Sequence, residues 1–97
     1  MTRRQVAVGL LALVLTGCVT DEQWARLRHC ESTGNYRAVS PSGKYRGAYQ
    51  FDRQTWRSVG GTGDPAAASP AEQDHRAVRL YLERGASPWP RCGRHLR

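Results

Sequence analysis

Cysteines and acids are scarce in this chain, and no hydrophobic run is long. There are three cysteines in 97 residues, and eight Asp and Glu stand against fifteen Lys and Arg. The longest apolar stretch, Val6 to Leu15, is ten residues, about half of the roughly 20 that a bilayer-spanning helix needs. His29, His75 and His95 have no ligand spacing with the cysteines, which argues against a zinc site; neither a metal nor a cofactor is expected. There is no internal repeat and no low-complexity tract. At this length the chain holds one small domain at most.

The apolar run follows Arg3 and Arg4 and precedes "LTGC", Leu15 to Cys18. A positive start, a short apolar core and a small-residue site read as a secretory signal peptide. The ending resembles the lipobox of bacterial lipoproteins, whose cysteine is acylated and becomes the new N-terminus. Ordinary cleavage that leaves Cys18 as a spare thiol is the other reading, and "TRR" also fits a twin-arginine signal. The expected division is a signal peptide over 1–17, an acylated Cys18 with a short linker over 18–21, and a folded domain over 22–97. If Cys18 carries lipid, Cys30 and Cys92 remain, and an even pair in an oxidising compartment reads as a disulfide. It would close a loop of about sixty residues, a stabilisation of about 4 kcal/mol in the chain-entropy model. A domain this small has a thin core and needs that help. The net charge of +7 falls to 7 − 2 = +5 without Arg3 and Arg4. Such a surface suits nucleic acid, anionic lipid headgroups or acidic wall polymers. Export argues against nucleic acid, and plain solubility accounts for the charge equally well.

Local signals predict the elements. "TDEQ" fits a capping box, with Thr20 as N-cap and Gln23 at N3. The helix it opens runs to about Ser32, and Gly34 or Asn35 supplies a left-handed end. Tyr36 to Val39 reads as extended, "SPSGK" as a turn, and Tyr45 to Phe51 as a short aromatic strand, together a small hairpin. Asp52 caps a helix through about Val59. "SPAE" opens a third, with Ser69 as cap, Pro70 at N1 and Glu72 at N3; it ends near Arg84, before Gly85. An irregular tail, "SPWPRC", follows. The fold class is α+β: about three helices, a small β-hairpin and one disulfide.

Most of the acids have structural uses. Asp21 and Glu22 complement a helix dipole, Asp52 and Glu72 belong to caps, Asp64 sits in a Gly-Asp-Pro turn, and Asp74 and Glu83 lie on the third helix, Glu83 one turn from Arg79. Glu31 has no such use. At about 100° per residue it shares a narrow face with Trp24 and Leu27, spaced i, i+3, i+7. A carboxyl at the end of an apolar stripe loses solvent, which raises its pKa and suits a general acid. The bland alternative is a helix-ending glutamate that points to water. Trp24 and Trp56 read as core, Tyr49 and Trp89 equally as core or as sugar platforms, and His75 as a core-edge histidine beside Ala71, Val78 and Leu82.

The stretch "CESTGNYRAVSPSGKYRGAYQFDRQTW", Cys30 to Trp56, resembles the transglycosylase-like domain of resuscitation-promoting factors. It has Cys-Glu at a helix end, a Gly-Asn-aromatic step, a G-x-x-Q-F segment at Gly47 to Phe51, and Thr55-Trp56. The likeness continues through Gly60-Gly61, "SPAEQ" and "PWPRC", and covers about Glu22 to Gly93. The Glu-Ser pair followed by G-x-x-Q also looks like the wider lytic transglycosylase and goose-type lysozyme group. The resemblance implies a compact lysozyme-like fold with a glycan cleft, Glu31 as catalytic acid, and Cys30 paired with Cys92. It puts Gln50 and Thr55 in or near the cleft, with Tyr49 and Trp89 as further sugar-contacting candidates. Two positions depart from the family's pattern: Arg84 stands where a Gln is common, and Ala86 where an aromatic is common. Arg84 thus puts a longer, cationic donor at a substrate contact.

One glutamate suffices for a transglycosylase. Glu31 protonates the glycosidic oxygen and then takes the proton of the sugar's C6 hydroxyl, closing a 1,6-anhydro ring. Hydrolysis would need a second group, and Asp52 is the nearby rival. The expected partners are peptidoglycan glycan strands and, through Cys18, a membrane. The alternative is a non-catalytic wall-binding lipoprotein that keeps the fold.

Overall fold

The computed structural model describes residues 18–97; the signal-peptide expectation over 1–17 lies outside the described residues. Helix α1 spans Asp21–Ser32. Its capping box is complete: Thr20 accepts from the Gln23 backbone, and Gln23 Oε1 accepts in turn from the Thr20 N–H at 2.9 Å. It ends at Ser32, and Gly34 turns left-handed at φ 80° as expected, preceded by Thr33 already at φ 54°.

Helix α2 covers Arg53–Ser58 under the Asp52 cap, and α3 covers Pro70–Arg84 under Ser69, with Glu72 at N3. Two 3-10 turns, Pro65–Ala67 and Cys92–Leu96, complete the regular structure. No helix among the described residues is long and apolar enough to cross a membrane.

The expected hairpin is not formed. Tyr45 to Phe51 is a chain of turns, and pairing is limited to isolated bridges of Arg46 with Val39 and with Phe51. The backbone explains this. Gly47 at φ 87° and Gln50 at φ 55° turn left-handed and interrupt any extended run.

The core gathers side chains from every segment: Trp24 and Leu27 of α1, Tyr49 and Phe51 of the loop, Trp56, Ala77 and Leu80 of the later helices, then Trp89 and Leu96. Trp24 lies at its centre, edge-on to Tyr49, Tyr81 and Trp89 with ring centroids 5.7–6.0 Å apart. Helix α1 packs on the C-terminal 3-10 turn, and the Cys30–Cys92 disulfide joins them, with Cα atoms 5.7 Å apart. The inward face of α3 is Gln73, Ala77 and Leu80. His75 is therefore not at the core edge: it is exposed, on the outward side with Val78 and the 76% exposed Leu82.

Candidate active site

A cleft of about 370 Å³ opens where the end of α1, the Tyr45–Asp52 loop, the start of α2, the end of α3 and the Ser87–Pro90 segment meet. Glu31, Tyr49, Gln50, Thr55, Arg84 and Trp89 all border it. Asp52, Tyr45, Phe51, Leu80, Ser87 and the two prolines Pro88 and Pro90 complete the lining. Of these, Tyr45 is well exposed, an aromatic rim that the sequence reading took for part of a strand.

Glu31 reaches the cleft because Trp24 and Leu27 anchor its face of α1 in the core and the neighbouring Cys30 is bonded to Cys92. Ser32 fixes the helix end by donating to the Ala48 carbonyl at 2.8 Å. Glu31 is half-buried, and that burial holds its carboxyl above the ordinary carboxylate range; the Arg91 charge opposes the shift. Among the described residues, no hydrogen bond or ion pair reaches its carboxylate. The second cleft carboxylate differs. Asp52 accepts from the Thr55 backbone at 2.8 Å and from the Thr55 hydroxyl at 3.2 Å, so its oxygens are occupied in capping α2.

Tyr49 and Trp89 are buried, 2% and 4% exposed, and form fixed wall rather than open platforms. The Tyr49 hydroxyl donates to Asp74 at 2.6 Å and accepts from Arg28 at 2.8 Å. Tyr36 donates to the same Asp74 oxygen at 2.7 Å. Burial, reinforced by Asp74, pushes the Tyr49 phenol far up, so it stays protonated. Trp89 Nε1 donates to the Tyr49 carbonyl at 3.1 Å, which ties the tail to the loop. Gln50 donates its amide to the Gly47 carbonyl at 2.9 Å.

Sequence reasoning missed the residue that holds the loop in place. Gln73 is fully buried; its Oε1 accepts from Ala48 N at 2.9 Å, and its Nε2 donates to the carbonyls of Tyr36 and Ala68 at 2.9 and 3.0 Å. A Cβ on Gly47 would stand 2.5 Å from Gln73 Oε1, so the glycine is needed for close approach as well as for its φ. Asp74, sorted among ordinary helical acids, is the other omission. Gly47 inside an apparent strand marks a close approach, but not which residue makes it.

The family model of the transglycosylase-like domain matches residues 18–92. The chain belongs to that family. Resuscitation-promoting factor RpfC of Mycobacterium tuberculosis is 46% identical over 70 residues, which are 72% of this chain and 49% of that protein. RpfD of the same species is 40% identical over 86 residues, 88% of this chain and 55% of that protein. Resuscitation-promoting factor Rpf of Micrococcus luteus is 42% identical over 77 residues, 79% of this chain and 34% of that protein. This transglycosylase-like domain spans about half the length, or less, of the curated relatives it matches.

Proposed function

We propose that this domain cleaves the glycan strands of peptidoglycan and that Glu31 is its single acid–base group. The observation that carries the reading is the contrast at the cleft. Glu31 is half-buried, raised in pKa and uncommitted, while Asp52 is held by Thr55. A carboxyl whose neutral form is favoured by burial suits the donation of a proton to a glycosidic oxygen.

The proton of Glu31 goes to that oxygen as the C1–O bond breaks. The C6 hydroxyl oxygen of the same sugar then bonds to C1, and its proton returns to Glu31. The product ends in a 1,6-anhydro ring, and Glu31 is restored. Tyr49 and Trp89 shape the wall against which the sugar lies, Gln50 and Thr55 offer polar contacts, and Arg84 stands at the rim. Attack by water in place of the C6 hydroxyl would give a product heavier by one water. Glu31→Gln should lower muropeptide release by about 10²–10⁴-fold, the usual worth of a positioned acid–base group, in zymography on peptidoglycan with mass analysis of the products. Undiminished release by the variant would remove Glu31 from the mechanism.

From the "LTGC" context we also infer that Cys18 is acylated and holds the domain at the outer face of the cytoplasmic membrane. Two acyl chains anchor stably where one does not, and a basic surface adds attraction to anionic headgroups. Wild type should take up labelled palmitate and stay with the membrane fraction, whereas Cys18→Ser should do neither. Unlabelled wild type in the medium would mean a freely secreted enzyme.

A further inference from the structure

Arg84 is a cation at the cleft that the fold does not use. Arg28 is bonded to Tyr49, Arg46 to Asp64, Arg76 to Glu72 and Arg79 to Glu83. The Arg84 side chain borders the cleft and makes no hydrogen bond or ion pair with any described residue; the Arg84 carbonyl, by contrast, accepts from Ser87 Oγ at 2.9 Å. Neither cleft carboxylate answers it. Asp52 is bound by Thr55, and no hydrogen bond or ion pair joins Glu31 to Arg84; the charge that acts on Glu31 is that of Arg91.

A guanidinium with open donors recognises a carboxylate by a charge-assisted, often bidentate bond. In peptidoglycan every muramyl sugar carries a lactyl arm. In the intact wall that arm is an uncharged amide bonded to a stem peptide; once the peptide has been removed, it is a free carboxylate. Stem peptides carry carboxylates too, but several bonds from the ring. At about 370 Å³ the cleft is at the small end of ligand sites, a size that suits sugar rings and their first substituents better than a branched peptide.

We propose that Arg84 makes the cleft selective for glycan strands whose muramyl lactyl groups are free carboxylates. This rests on the glycan-cleaving reading above. It sets the enzyme after a reaction that hydrolyses the lactyl–peptide amide.

Binding and cleavage test it separately. The exported protein carrying Glu31→Gln is titrated with peptide-stripped strands, with the same strands converted to methylamides, and with peptide-bearing strands. Stripped strands should bind about tenfold tighter than methylamides, the worth of one hydrogen bond to a charged group. Adding Arg84→Gln should bring that ratio close to one. Adding Arg37→Gln, which removes an exposed charge away from the cleft, should leave the ratio intact. Equal binding of stripped and methylamide strands, a preference that survives Arg84→Gln, or tightest binding to peptide-bearing strands would each overturn the proposal. Cleavage rates on the same strands by protein with Glu31 intact show whether the glycan-cleaving reading stands. If it cleaves none of them, that reading fails, while the binding ratio still decides the role of Arg84.

Discussion

Each of the three helices is capped by a residue within three positions of the backbone it serves: Thr20 for Gln23, Asp52 for Thr55, Ser69 for Glu72. The segment between α1 and α2 is held from a distance. Tyr36 bonds Asp74 across 38 positions, Ala48 bonds Gln73 across 25, and Arg46 bonds Asp64 across 18. The helix starts are held by short-range bonds, whereas the loop is held by bonds to α3 and to Asp64. The cleft draws on both regions, with Glu31 and Arg84 on helix ends and Tyr49 and Gln50 on the loop.

The sharpest way to break the contrast is Gln73→Leu. It leaves the buried Ala48 N–H and the partly buried Tyr36 and Ala68 carbonyls without their partner, at about 1–3 kcal/mol each. We expect about 3–6 kcal/mol lost in urea unfolding, together with loss of cleavage. A smaller effect should come from Ser69→Ala, which removes a local cap and costs about 1 kcal/mol; the urea midpoint should fall and cleavage should survive, because the loop keeps its distant bonds.

The smallest effect lies at Glu31, where the two regions meet. Its pKa is raised by burial, so the folded protein holds the proton more tightly than the unfolded chain does. Its contribution to stability is therefore present below the ordinary glutamate value of about 4.3 and is lost as pH rises through the folded value. Glu31→Gln should have a slightly higher thermal midpoint than wild type at neutral pH, and the difference should vanish well below about pH 4.

The same contrast governs what was legible in the sequence. Thr20-Gln23, Asp52 and Ser69-Pro70-Glu72 announced the helices because capping is a short-range bond between residue types of fixed spacing. Glu31 stood out by elimination and by the Trp24–Leu27 stripe, and the family motif brought Cys30 and Cys92 together. The aromatics of Tyr45 to Phe51 imitated a strand because periodicity carries no record of φ at Gly47 and Gln50. Gln73 and Asp74 were illegible for a different reason. A polar residue on a helix reads as solvated, and only tertiary packing shows that the Gln73 amide stands in for a missing ladder.

Where α1 begins has a mechanical consequence. Val19 packs against the core and Thr20 already caps the helix, so almost no slack separates Cys18 from a stiff rod. From Asp21 to Glu31 that rod rises about 15 Å, ten steps of 1.5 Å. Any anchor on Cys18 would then be a pivot rather than a leash, and would keep the Glu31 end of α1 within about one helix length of it.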